Sequence, residues 1–196
     1  MNLGINNKVA LVTGSNRGTG LMIAERLATE GARVIFHSQA EGDSAAIAKQ
    51  VENASAVWGD ITNEQGSEQV IRAVKELTDG VDILVNNYGT ADPGRWQTAT
   101  SEDWLTAYQK NTLSIVRMVQ GFTPDMIKTG WGRVVNLGTV GSTRPNKTSP
   151  QYYAAKGALA NMTVSLAQEL SATGITVNLV SPGLIRTAEV EATYLA

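Results

Sequence analysis

Six short apolar runs, each separated from the next by a turn signal and a stretch of helical periodicity, constrain this chain more than any other feature. Residues 8–13 form the first run and close on Gly14; apolar positions Leu21, Ile23, Ala24, Leu27 and Ala28 then recur at helical spacing through residue 30. Gly31 reads as a helix C′ residue, and residues 33–36 form a second β-branched run. The alternation continues with a weak helix at 44–51, a strand at 54–58, a helix near 64–77 and a strand at 81–86. A loop over 88–100 precedes helices at 101–108 and 113–128, the strand 132–137, a helix over 150–171 and the strand 175–180. The strands are apolar at nearly every position instead of every second one, as a sheet covered on both faces requires. The pattern predicts an α/β fold with a doubly wound, mostly parallel sheet of at least six strands in one domain, 1–196, without repeat or linker.

Composition narrows the chemistry. The 196 residues hold no cysteine and one histidine, which excludes disulfides, thiolate zinc sites and a Cys nucleophile, and leaves no multi-His metal site. No metal is expected. A formal charge of −2 gives no positive field for a phosphate backbone, so no nucleic-acid partner is expected. No apolar run approaches the ~20 residues of a spanning helix and no leader is evident, so the expectation is a cytoplasmic protein without a membrane partner.

A doubly wound sheet binds ligands outside the carboxyl ends of its strands. The first such end carries Gly14, Asn16, Arg17, Gly18, Thr19 and Gly20, with glycines spaced four and two apart. Glycines there permit a tight turn and close approach to a pyrophosphate, and the following helix N-terminus favours anions. An ordinary Gly-rich turn carries the same glycines; the position after the first strand argues for a dinucleotide. The spacing Thr-Gly-x-x-x-Gly-x-Gly resembles the cofactor loop of the short-chain dehydrogenases/reductases, whose fold is Rossmann-like.

The second strand ends Phe36-His37-Ser38-Gln39 with no acid to accept from a ribose, while Arg17 supplies a cation. NADP(H) is therefore expected to be preferred, with NAD(H) admitted. Ser38 and His37 are read either as phosphate contacts or as a solvated loop, and Glu41 and Asp43 as acids that weaken the preference if they fold back. The resemblance implies that Asp60, with Ile61, contacts the adenine; a turn or capping role is the alternative. Asn86-Asn87-Tyr88-Gly89 resembles the family's Asn-Asn-Ala-Gly signature, so Asn87 and Gly89 are cofactor candidates, with sheet-tying an equal reading of the asparagines. Tyr88 replaces a small alanine and either adds bulk near the cofactor or turns away.

Tyr152 and Lys156 stand at i and i+4 on one face of a helix, with Tyr153 turned aside. A phenol is a proton donor for ketone reduction if a nearby ammonium lowers its pKa, which makes Tyr152 the candidate acid and Lys156 its partner and a ribose ligand. Tyr-x-x-x-Lys alone is common on solvated helices. The resemblance adds Thr139, thirteen residues before Tyr152, where the family has a carbonyl-binding serine, and Asn111, the fourth member of its tetrad, which holds a proton-relaying water. Threonine keeps the hydroxyl and adds a methyl; Ser142 is a weaker substitute. Pro182, Gly183, Ile185 and Thr187 resemble the segment beside the nicotinamide.

The resemblance spans the chain and is nearest in pattern to 3-oxoacyl-acyl-carrier-protein reductases. It implies hydride transfer between NADP(H) and a ketone or secondary alcohol, a small-molecule substrate such as a 3-oxoacyl thioester, and a homotetramer or homodimer built on the helices at 113–128 and 150–171. The alternatives are another secondary-alcohol or sugar-alcohol dehydrogenase, or a weakly catalytic cofactor-binding regulator. Because the sequence stops at Ala196, soon after Pro182-Gly183, a C-terminal substrate segment and a last strand are expected to be missing, as in a fragment, an incompletely represented chain or a shortened variant.

Overall fold

The computed structural model describes residues 3–194; the chain end at Ala196 lies outside them. Six strands, β1 (Val9–Val12), β2 (Arg33–Ser38), β3 (Ser55–Trp58), β4 (Ile83–Asn86), β5 (Gly132–Leu137) and β6 (Ile175–Val180), form one sheet in the order β3-β2-β1-β4-β5-β6. Every neighbouring pair is parallel, with Leu11 opposite Ile35 and Leu84, and Val134 opposite Leu84 and Val177. The order reverses between β2-β1 and β4, which makes the carboxyl ends of β1 and β4 the switch point of a doubly wound, Rossmann-like fold.

Alternate residues of each strand feed different cores, which is why the strands read apolar throughout. Val9 and Leu11 join Leu84, Val134, Val70 and Val74 of α3 (Glu64–Leu77), Met118 and Phe122 of α5 (Ser114–Thr129) and Leu159 of α6 (Pro150–Glu169). Ala10 and Val12 join Val34, Phe36, Val85 and Ala24 of α1 (Gly18–Thr29) on the other face, with Ala48 of the one-turn helix α2 (Ala45–Ala48).

Element order agrees with the sequence reading, and the differences lie at the ends. Helix α1 starts three residues early, because Gly18, Thr19 and Gly20 already form its first turn. The helix expected over 44–51 shrinks to α2. Helix α4 (Ser101–Tyr108) begins with a capping box between Thr100 and Asp103 and runs through a π turn, Gln109–Leu113, directly into α5. A short 3-10 turn, Val140–Ser142, and helix α7 (Ala188–Tyr194) had no counterpart in the sequence reading. Among the described residues no helix is long and apolar enough to cross a membrane.

Candidate active site

A cleft of about 540 Å³ runs along the carboxyl ends of the strands. Gly14, Asn16, Arg17, Gly18, Thr19 and Gly20 form one wall, and Asn87, Gly89, Tyr152, Lys156, Pro182, Ile185 and Thr187 lie along the rest. The Gly-rich wall is built for close approach. Gly14 has φ +61, and a Cβ on Gly20 would stand 2.2 Å from the Gly14 carbonyl oxygen and 2.4 Å from Asn87 Nδ2. Helix α1 starts at Arg17 with no side-chain cap and no acid in its first turn, leaving its N-terminal N–H groups for an anion. The Arg17 side chain is exposed, with no ion pair among the described residues.

His37 corrects both readings made of it. It is fully buried: Nδ1 accepts the Gly14 N–H at 3.0 Å, and Nε2 bonds the Gly59 carbonyl at 3.0 Å. Burial lowers its pKa to about 4, against the opposing pull of the Gly59 carbonyl and the Asp60 charge, so the ring is neutral and pins the Gly-rich loop to the ends of β2 and β3. Ser38 is also buried and off the cleft lining: its Oγ accepts the Ser44 N–H at 3.2 Å and lies 2.8 Å from the Ala40 carbonyl and 2.9 Å from Ser44 Oγ, which share its one proton.

Asp60 and Ile61 stand outside the cleft lining. Asp60 accepts from the Thr62 backbone and hydroxyl and from Asn63 Nδ2, the turn role that was the alternative. Partial burial raises its carboxyl, but hydrogen bonds from Thr62, Gln39 and Asn63 outweigh it and hold the group below the ordinary carboxylate value. The Ile61 side chain is buried in the core, and its N–H donates to Gln39 Oε1 at 3.2 Å. Gly183 is exposed and also off the lining.

Residues the motif reading passed over line the cleft instead: Gln39, Ala40, Thr90, Leu137 and Gly138, with Asp43 folded back into it. Tyr88 adds bulk, packing its Cβ and Cδ2 within 3.3 Å of where a Gly14 Cβ would be. Gln39 follows Ser38 by one residue, so the period-two alternation was the available signal. Both asparagines tie the sheet: Asn86 Nδ2 donates to Asn136 Oδ1 at 2.9 Å, and Asn87 Nδ2 to the carbonyls of Thr13 and Gly14.

At the other end, Thr139 follows β5, off the cleft lining but beside Tyr152, whose pKa its side chain pulls down; its Oγ1 accepts the Gly141 N–H at 3.2 Å. Tyr153 packs edge-on against Tyr152, centroids 5.2 Å apart, and against Gly141. Lys156, 3% exposed, donates from Nζ to the Leu137 carbonyl at 2.6 Å. Desolvation lowers its pKa to about 8. The expected lowering of the phenol by this ammonium is not what the structure has. Burial raises the Tyr152 pKa, the Thr139 side chain opposes it, and Tyr153 adds to the rise.

Asn111 sits in the π turn, fully buried, but its carboxamide is already engaged: Oδ1 accepts the Thr90 N–H, and Nδ2 donates to the carbonyls of Thr90 and Ala107. These bonds hold the backbone at Thr90 and its neighbour Gly89, where an added Cβ would lie 2.6 Å from Asn111 Oδ1 and 3.2 Å from Lys156 Nζ. Ser142 lies off the cleft with its hydroxyl buried and unpartnered. Gln151, fully buried, holds the loop before α4 by donating to the carbonyls of Asp92 and Pro93.

The family described as short chain dehydrogenase matches residues 8–194. The chain belongs to this family. Short-chain dehydrogenases similar to it include the 3-oxoacyl-acyl-carrier-protein reductases of Vibrio cholerae, 37% identical over 94% of this chain and 76% of that enzyme, and of Escherichia coli, 36% identical over 92% and 74%. Among solved short-chain dehydrogenases, L-sorbose reductase from Gluconobacter frateurii, complexed with NADPH and L-sorbose, superposes with a TM-score of 0.95 at 31% identity, covering 98% of this chain and 75% of that one. A 3-oxoacyl-acyl-carrier-protein reductase from Agrobacterium tumefaciens with NADP bound gives 0.90 at 31% identity, covering 97% and 76%. The chain is thus a short-chain oxidoreductase.

Proposed function

We propose that this protein is an NADP(H)-dependent ketone reductase and, in reverse, a secondary-alcohol dehydrogenase. The observation that carries the reading is that Tyr152 and Lys156, one helical turn apart on α6, both line the cleft, with Lys156 buried behind the phenol. The residues fit a dinucleotide: the Gly-rich wall leaves no room for a Cβ at Gly20, and the uncapped first turn of α1 suits a pyrophosphate. Gly14 to Gly20, Asn87, Gly89, Lys156, Pro182, Ile185 and Thr187 would hold it. Arg17 and the lack of an acid at the end of β2 support the 2′-phosphate form, as do the relatives solved with NADP or NADPH. Asp43 in the cleft is the residue that leaves NAD(H) admissible.

When bound, the nicotinamide supplies or accepts the hydride. Thr139 then holds the substrate oxygen, and Tyr152 donates a proton to it. With its pKa raised by burial, Tyr152 stays protonated at neutral pH, as a general acid must. Lys156, titrating near 8, supplies charge behind the phenol. The substrate we assign is a ketone with an apolar arm, such as a 3-oxoacyl thioester. Val140 and Leu184 are exposed apolar residues on the two segments that follow β5 and β6, and the Val140 N–H donates to the Pro182 carbonyl, which joins those segments. The sorbose-reducing relative keeps a ketose as the second reading. Supporting a homodimer or homotetramer, α5 and α6 leave Ile127 and Val164 exposed.

NADPH and NADH oxidation against a panel of 3-oxoacyl thioesters, simple ketones and ketoses tests both arms. Tyr152→Phe is expected to lower kcat by about 10²-fold or more and Tyr153→Phe to leave it within a few-fold. Equal turnover in wild type and Tyr152→Phe removes Tyr152 from the mechanism.

A further inference from the structure

The chain lines the cleft as far as Thr90 and then crosses to the start of α6, where residues 92–94 are gripped from both sides. From the π turn, Lys110 Nζ donates to Asp92 Oδ2 at 2.7 Å. From α6, the buried Gln151 donates its amide to the Asp92 and Pro93 carbonyls at 3.2 and 3.3 Å, and just ahead of the helix the Ser149 N–H donates to the Gly94 carbonyl at 2.9 Å. The packing is close. A Cβ on Gly94 would stand 2.5 Å from Gln151 Nε2.

Ser149 is held in the left-handed region, φ 56 and ψ 48, a conformation that a residue with a side chain adopts at a cost. Its N–H takes the Gly94 carbonyl while its own carbonyl accepts the Tyr152 N–H at 3.1 Å, so a strained residue joins the segment to the turn that carries the phenol. The π turn spreads its consecutive side chains over the same region. Lys110 goes to Asp92, Asn111 to the Thr90 backbone, and Thr112 to the Ala155 carbonyl of α6 at 3.0 Å.

We propose that Gln151 and Lys110 are positioning residues for the substrate: by gripping Asp92 from α6 and from the π turn, they set residues 92–94 as the wall against which a ketone is held in front of Tyr152. The inference rests on the ketone-reductase reading above. A preset wall binds ground state and transition state alike, so its loss raises KM and leaves kcat. The dinucleotide, which the Gly-rich wall would hold, is untouched by it.

Steady-state reduction of an acetoacetyl thioester by wild type, Lys110→Met, Lys110→Arg and Gln151→Met, beside calorimetric titration of each with NADPH, tests this. Lys110→Met is expected to raise KM for the ketone about two- to fivefold, the size of a partly exposed ion pair. Its kcat and NADPH affinity should stay within about twofold of wild type, and Lys110→Arg, which keeps the charge, should restore most of the KM. Gln151→Met keeps the bulk and loses both buried bonds, so its KM should rise about tenfold or more. The Ser149 amide, whose acceptor is then released, should exchange its hydrogen faster than in wild type. Lys110→Met, at the partly exposed pair, keeps the test decisive should Gln151→Met not fold. An unmoved KM in Lys110→Met, no rescue by arginine, an equal loss of NADPH affinity, or unchanged Ser149 exchange in Gln151→Met each overturns the proposal while wild-type turnover stands. A wild type that binds NADPH but reduces no ketone removes the ketone-reductase reading, and this inference with it.

Discussion

At the scale of single residues, burial decides the protonation of the groups that matter most. His37 has a folded pKa of about 4 against 6.5 for the free group. Between those values the unfolded chain binds more protons than the folded one, so stability falls as pH drops from 6.5 towards 4. A shift of this size corresponds to roughly 3 kcal/mol at full protonation of the unfolded state. A glutamine can accept from Gly14 N–H and donate to the Gly59 carbonyl without titrating. Urea unfolding between pH 4 and 7 should show wild type losing more stability than His37→Gln over this window, the gap growing towards about 3 kcal/mol; parallel profiles would mean that His37 is not the group responsible. Lys156 follows the same logic at alkaline pH, where its folded value near 8 makes stability rise with pH up to its free value of 10.5.

Between elements, the sheet is tied to α6 by a buried polar chain. Asn86 Nδ2 donates to Asn136 Oδ1, Asn136 Nδ2 donates to Thr163 Oγ1, and Thr163 donates to the Leu159 carbonyl at 2.7 Å. This chain fixes β4, β5 and α6, the three elements that deliver Asn87, Thr139 and Tyr152. Thr163→Val preserves shape but leaves the Asn136 amide without an acceptor. The expected cost is about 1–3 kcal/mol in equilibrium unfolding, with turnover lowered by displacement of α6. A variant as stable as wild type would show that the amide finds another partner at no cost.

For the whole molecule, α6 presents apolar groups on both sides. Leu159 is fully buried in the core, while Val164, five residues on, is 59% exposed. Such exposure on a long helix suits a self-complementary interface between copies. Sedimentation velocity at micromolar concentration is expected to give a dimer or tetramer for wild type and a smaller species for Val164→Glu, because a buried like-charge pair across a two-fold interface is costly. A monomer for wild type, or an unchanged assembly for the variant, removes α6 from the interface.

The sequence by itself determined the fold and the order of the chemical groups. Strand apolarity, helix periodicity and the spacings of Gly14 to Gly20 and Tyr152 to Lys156 are local, and local patterns survive folding unchanged. Which way the strand-end side chains face was a tertiary decision. His37, Ser38 and Gln39 are consecutive, yet the first two are buried and the third enters the cleft, because their partners, Gly14, Ser44 and Ile61, are brought by different elements. The same holds for the chemistry. Sequence placed an ammonium one turn from a phenol, but whether charge or burial governs that phenol depends on the packing of α6 against β5, which turns Lys156 to the Leu137 carbonyl and leaves desolvation the larger effect on Tyr152.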